Sequence, residues 1–326
     1  MRVAVVGAGI AGLAAARRLR SDGIESVVFE KSRGVGGRAA TRRIGDYTFD
    51  HGATSVAPRH TKIENVLLYE LDTTDLVEVS KPIWTHGSGR VAPGDPRGHL
   101  QRFCYSKGLN TLGKLLAEGL DVRQEVKVEG LARQGSGYVV EGEHFDAVVL
   151  TPPLPQVTVL LDSLGESRQF DKVFYRSCIS VMLGYGVEAD LPYFATIDPD
   201  QRMPLAWLSV ESVKCPGSRA PQGKTAIVAQ MSADYSKWNL DHADDRIVND
   251  VLVDIERLLG KQFETPEVAC VHRWRYSQPE TTAAFDSVNR PGSTLIIAGD
   301  GVAQGRIEHA YESGLAAAER LIGEHK

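Results

Sequence analysis

Short apolar runs, a glycine turn and amphipathic stretches alternate along the chain in an order that predicts specific elements. Val3–Val6 is an unbroken apolar run that enters Gly7-Ala8-Gly9-Ile10-Ala11-Gly12. An amphipathic Ala/Leu/Arg stretch follows, and a second apolar run, Ser26–Phe29, ends on Glu30. This is a strand, a tight turn, a helix and a second strand closed by a carboxylate. That pattern builds a βαβ unit able to hold a dinucleotide pyrophosphate. Gly7 permits the turn, Gly9 lets backbone approach the phosphates, and Gly12 lets helix and sheet pack closely. The free N–H groups and the dipole at the helix start favour an anion there. Glu30 is placed to accept from both hydroxyls of a ribose, and its charge argues against a 2′-phosphate. An ordinary glycine turn would leave Glu30 unexplained.

Farther along, Ile63 to Leu71 has helical spacing, and Gly87 to Gly98 is rich in Gly, Pro and Arg. Leu109 to Leu116 predicts a helix with Asn or Thr as its cap. Runs at Asp121–Gln124, Val126–Ala132 and Gly137–Glu141 predict a meander, and Asp146–Thr151 a buried strand stopped by Pro152 and Pro153. Ser177–Leu183, Met203–Val210 and Lys224–Met231 predict antiparallel strands. Apolar residues at 247, 248, 251, 252, 255, 258 and 259 lie on one face of a helix over 244–259. Ser293–Asp300 reads as a buried strand ending in Gly299-Asp300, and Glu308 to Leu321 as a helix.

The length of 326 residues allows two domains of ordinary size. The predicted division is a nucleotide domain at 1–57, 98–154 and 269–326, and a substrate domain at 58–97 and 155–268. With 42% hydrophobic and 24% charged residues the composition is that of a soluble globular protein. A net charge of −5 without a basic run argues against nucleic acid. No apolar stretch reaches the length of a membrane span, and the glycine-broken N-terminus does not read as a signal peptide, so a cytoplasmic location is expected. Cys104, Cys178, Cys215 and Cys270 are scattered, and CxxC, HxH and HExxH are absent, so neither a metal site nor a disulfide framework is expected. The oligomeric state is not legible.

FAD and NAD both fit the first turn. Gly34-Val35-Gly36-Gly37-Arg38 adds glycine backbone and a guanidinium suited to further phosphate contacts, and Phe49-Asp50-His51-Gly52-Ala53 adds another flexible stretch. The late Asp300, with a helix behind it, suits a ribitol and a flavin pyrimidine edge, which a nicotinamide does not require.

GAGIAG, Glu30, GGR and the late AGD followed by a helix resemble the flavin amine-oxidase superfamily. Pro204–Leu208, Lys214 with Pro216-Gly217, Ile227–Gln230 leading to Asp234–Ser236, and His272–Tyr276 resemble its renalase-like group. The resemblance implies a Rossmann-type FAD-binding domain with an inserted α+β substrate domain on an antiparallel sheet, as in p-hydroxybenzoate hydroxylase and the amine oxidases. It implies FAD held non-covalently, because no cysteine lies in the C-terminal flavin segment. It implies cofactor contacts from Gly7, Gly9, Ile10, Ala11 and Gly12, from Glu30 and Lys31, and from Gly37 and Arg38. Gly52, Ala53 and Val126 join them, as do Gly299, Asp300, Arg306, Ile307 and Ala310. The last helix would direct its positive end at charge developing on the flavin N1–C2=O edge.

The activity so implied is hydride transfer to flavin N5 from 2- or 6-dihydro isomers of NAD(P), with dioxygen as acceptor and hydrogen peroxide as product. Such a donor becomes an aromatic cation, so no catalytic acid or base is required. An amine oxidase, a desaturase or carotenoid-type flavoprotein, against which the short length and even charge argue, and a non-catalytic flavin-binding protein are the alternatives. Trp207, Trp274 and Tyr276 are candidate pocket walls or plain core. His51 and His272 stand over the flavin or are structural. Arg273 and Arg275 flank a phosphate-bearing substrate or are exposed strand charges, and Lys214 reaches an anionic substrate or sits on a solvated turn.

Overall fold

The first apolar run becomes the central strand of a five-stranded parallel sheet. Its order is Leu295–Ile297, Ala147–Leu150, Arg2–Val6, Glu25–Phe29 and Asp121–Arg123. The computed structural model describes residues 1–58, 61–87, 89–94, 100–170 and 172–325. Ala147–Leu150 is fully buried, as its unbroken apolar sequence requires of a central parallel strand. Helices Ile10–Ser21 and Ile307–His325 pack on one face of this sheet. They approach so closely that a Cβ at Gly314 would lie 2.1 Å from the Ala11 carbonyl oxygen. The opposite face is covered by helix Leu154–Asp162 and by a meander of Ala132–Gln134, Gly137–Val140 and Glu143–Phe145.

A second sheet has seven strands. Its order is Val268–Pro279, Tyr175–Tyr185, Thr225–Met231, Leu205–Val210, Ala195–Ile197, Ile83–Gly87 and Arg90–Pro93. Ala195–Ile197 and Ile83–Gly87 pair in parallel, and the other pairs are antiparallel. One face carries Ile179, Val181 and Leu183 against helix Asp244–Leu259, whose Ile247, Val251, Ile255 and Leu259 are buried. The other face receives hairpin Thr41–Ile44/Tyr47–Asp50, with Tyr47 and Phe49 on Met182, Ala226 and Val228.

Several predicted boundaries move. Helix Lys62–Asn65 and its π-helical continuation Val66–Glu70 bury Ile63, Val66 and Leu67 in the core of the parallel sheet, so part of 58–97 joins that lobe. Helix Leu154–Asp162 does the same on the other face. Val268–Pro279 remains in the seven-stranded sheet, so the return predicted at 269 comes only after Pro279. Asp121–Arg123 joins the parallel sheet rather than the meander, because its partner is Val27–Phe29. The boundary predicted at 97/98, and most of the Gly/Pro/Arg-rich end of the 87–98 loop, lie outside the described residues. No helix among the described residues is long and apolar enough to cross a membrane.

Candidate functional site

The parallel strands all end at one edge, where Gly7–Gly12, Glu30, Thr151 and Gly299-Asp300 come together. Gly7 has φ +98°, in the left-handed region. A Cβ at Gly12 would sit 1.9 Å from the Gly7 carbonyl oxygen, so strand and helix touch there. A Cβ at Gly9 would meet no heavy atom within 4 Å. Gly9 is the N-cap of helix Ile10–Ser21 with no side-chain cap bond, and among the described residues no side chain is seen to accept from the leading N–H groups. Ile10 and Ala11 are buried at the start of that helix. This cradle fits a pyrophosphate.

Glu30 is nearly buried and accepts from the N–H groups of Ala8 at 2.8 Å and Ser32 at 2.7 Å. Each carboxylate oxygen keeps a lone pair for a ribose hydroxyl. The Val126 N–H donates to the Glu30 carbonyl, which brings Val126 to the same end. Lys31 is exposed and reaches Gln156 at 3.3 Å. Gly36 and Gly37, at φ +99° and +57°, carry the next loop across the cradle, and the Gly36 N–H donates to Ala8.

Arg38 and Asp300 pair directly. The guanidinium donates to the two carboxylate oxygens at 2.5 and 2.8 Å, and to the carbonyls of Tyr276 and Ser277. Burial opposes the charge on Arg38, but Asp300 outweighs it and raises its pKa. Tyr175 donates to Asp300 at 3.1 Å, and its ring stands edge-on to Tyr276 at 5.9 Å. Gly299 is held by Ser313, whose hydroxyl accepts its N–H at 2.8 Å. Neither Tyr175 nor Ser313 carries a sequence signal, because both act through contacts distant along the chain. Arg306 is exposed; Ile307 starts the last helix, and the Ala310 N–H donates to Arg306. Glu308, in the first turn of that helix, accepts from the Ala57 N–H at 2.7 Å and fastens it to the 50–57 loop.

That loop meets the seven-stranded sheet. Strand register sets Trp207, Gln230, Ser180 and His272 in one row, and Cys178 beside Trp274. Gln230 donates to the Gly52 carbonyl at 2.7 Å, and the Trp274 indole donates to the His51 carbonyl at 2.9 Å. Gly52 has no room for a side chain, since a Cβ would lie 2.0 Å from the Arg38 carbonyl oxygen. The Ala53 N–H donates to that same carbonyl. The His51 ring stacks on Trp274 at 5.3 Å and lies 4.6 Å from His272. Burial first, then the charge of Arg42, pushes His272 down to about 4; burial, His272 and Arg42 push His51 down to about 3. Arg42 donates to the Cys270 thiol and meets no carboxylate among the described residues.

Both imidazoles are therefore neutral in the fold at pH 7, and an unfolded histidine titrates near 6.5. Between those values the unfolded chain binds more protons, so stability is present above about pH 6.5 and is lost as pH falls. The thermal midpoint is expected to drop between pH 7 and pH 4, and His272→Phe to flatten that drop. An unchanged slope would remove His272 from the effect.

Three candidates take other roles. Arg273 bonds the carbonyls of Leu240 and His242 and pairs with Asp244 at 2.6 Å, anchoring the approach to helix Asp244–Leu259. Arg275 is exposed and lies 3.9 Å from Asp241. Lys214 is neither a substrate group nor a solvated turn. It is buried and donates to Asp50 at 2.9 Å, Glu211 at 2.7 Å and the Thr54 carbonyl at 2.9 Å. Arg219, also buried, donates to Asp50 at 2.8 Å and to the Tyr105 carbonyl. Burial pushes the Asp50 carboxyl up, but Lys214, Arg219, Thr41 and the Leu109 N–H outweigh it and hold it below its usual range. Trp207 packs edge-on to Phe194 at 6.3 Å, and its buried indole N–H has no partner.

Residues 85–322 match the family model of flavin containing amine oxidoreductases, and residues 5–69 match that of an NAD(P)-binding Rossmann-like domain. A stretch of 56 residues is 50% identical to a 4,4′-diapophytoene desaturase of Staphylococcus aureus. That match covers 17% of this chain and 11% of the desaturase, so the chain spans only a small part of this relative. Among solved structures, one described as a protoporphyrinogen oxidase of Exiguobacterium sp. 255-15 superposes with a TM-score of 0.81 at 16% identity, covering 99% of each chain. A putrescine oxidase bound to putrescine superposes with a TM-score of 0.72 at 14% identity, again covering 99% of each chain. These two likenesses speak to the fold.

Proposed function

Since the chain belongs to the flavin-containing amine oxidoreductase family, we propose that it is a renalase-like, FAD-dependent oxidase. Its substrates are 2- or 6-dihydro isomers of NAD(P), and its products NAD(P)+ and, with dioxygen, hydrogen peroxide. When bound, the flavin supplies a two-electron acceptor for hydride and a route for those electrons to oxygen. Gly7, Gly9 and the Ile10 helix start hold the pyrophosphate, Glu30 the adenosine ribose, and the Arg38–Asp300 pair fixes the loops that border the cofactor.

The observation that carries this reading is the charge of the aromatic wall. Each carboxylate at its edge is already engaged: Asp300 by Arg38, and Asp50 by Lys214 and Arg219. His51 and His272 are neutral, and Arg42 stands beside them without an acid. An ammonium substrate finds no free anion among the described residues here and is repelled by Arg42. A neutral dihydropyridine ring bearing phosphates suits a neutral aromatic wall with a nearby guanidinium. Because the donor becomes aromatic on losing hydride, the histidines need take no proton.

Anaerobic mixing with borohydride-generated dihydronicotinamide isomers is expected to bleach the flavin absorbance quickly, and a panel of mono- and polyamines to leave it unchanged. Bleaching by an amine alone would make the chain an amine oxidase; steady peroxide production above the free-flavin background discards a non-catalytic role. Acid precipitation is expected to release all the yellow colour into the supernatant, as non-covalent FAD requires.

A further inference from the structure

The end of the parallel sheet opposite the glycine turn carries a second feature that the flavin chemistry does not use. A recess of 540 Å³ is lined by Arg133, Glu166, Arg168, Arg290, Gly292 and Ser293, together with Ser167 and Pro291. Its floor is the turn that leads into Leu295–Ile297, so the length of that strand separates it from Gly299-Asp300. Its sides are the meander strand Ala132–Gln134 and the segment that follows helix Leu154–Asp162.

Two guanidiniums meet on one carboxylate there, and a third lines the same recess. Glu166 pairs with Arg133 and, at 2.9 Å, with Arg168, while Arg290 lies exposed on the rim. The Arg168 Nε–H is buried and has no acceptor. The lining thus keeps an excess of two positive charges in a chain whose net charge is −5. Like charges held together are costly unless an anion joins them. Guanidinium forks and the exposed Ser167 hydroxyl are donors of the kind that phosphate oxygens take. The volume is of the size that holds a small metabolite.

We propose that this recess is a second binding site, separate from the flavin, for a small phosphate-bearing molecule. The flavin-loaded protein, with its nucleotide cradle filled, is titrated calorimetrically with pyrophosphate and with AMP at low ionic strength. Saturable binding is expected, and the double variant Arg133→Gln/Arg290→Gln is expected to weaken it by about tenfold or more, as loss of charge-assisted bonds requires. Flavin content and substrate turnover should stay those of the parent protein. Lys261→Gln, which removes one exposed charge elsewhere, should leave the affinity unchanged. Absence of saturable binding, equal binding by the double variant, or an equal loss in Lys261→Gln would overturn the proposal. Pyrophosphate binding without AMP would assign the site to the phosphate group alone, and tighter AMP binding to a nucleotide.

Discussion

Asp50→Ala is expected to lower the thermal midpoint of the flavin-saturated protein by about 5 °C. Asp50 is fully buried and accepts from Lys214, Arg219, Thr41 and the Leu109 N–H. Its removal leaves Lys214 with Glu211 and Arg219 without its carboxylate, and stranding one partner of a buried pair costs about 3–5 kcal/mol. In a chain of this size that energy corresponds to a shift of this order. Saturating flavin keeps the contribution of binding constant. Arg219→Ala alone should also destabilise, but the Asp50→Ala/Arg219→Ala double variant should lose clearly less than the sum, since the two groups share one bond. Strict additivity in the thermal midpoints would show that the cluster does not act as a unit.

The second large effect separates two glycines three residues apart. Gly12→Ala forces a Cβ to within 1.9 Å of the Gly7 carbonyl oxygen, a backbone atom that cannot turn aside. Helix and strand must part, at about 1–3 kcal/mol or more, and the phosphate-binding turn goes with them. Flavin affinity is expected to fall about 100-fold or more, with a lower thermal midpoint for the flavin-free protein. Gly9→Ala is the contrast: its Cβ meets no protein atom. The flavin-free midpoint should match the parent, yet flavin affinity should drop, because the methyl takes the space a phosphate would approach. Both are read by fluorescence titration of the stripped protein with FAD. Parent-like affinity in Gly9→Ala would remove the pyrophosphate from that turn.

The glycine turn was legible because its logic is local. Strand, turn, helix and acid lie within thirty residues, and each glycine answers to a neighbour in the same unit. The amphipathic helix at 244–259 was legible for the same reason, its period being written in Ile247, Val251 and Ile255. The buried charge cluster was not. Lys214 and Asp50 are 164 positions apart, and nothing near Lys214 in sequence distinguishes a solvated turn from an interior one. The pairing of Arg38 with Asp300 spans 262 positions and merges two residues expected to serve the cofactor separately. The helix at Asn110–Ala117 shows how a local rule is displaced. An Asn or Thr cap was expected, but the N-cap is Leu109. Its N–H is taken by Asp50 and the Asn110 N–H by the Thr41 hydroxyl, so distant side chains do the work of a local cap. Domain limits failed in a related way: a periodic segment does not say which sheet it will cover.

The strand Val268–Pro279 pairs with Tyr175–Tyr185, and its backbone near the C-terminal end, at Tyr276 and Ser277, receives Arg38 from the glycine-rich loop. A single extended segment is thus stitched into the large sheet and also braces the nucleotide cradle. Neither half of this molecule is a cassette: exchanging the substrate-facing part with that of a relative would sever the brace, so productive chimeras must carry the Arg38 loop and this strand across as one inheritance.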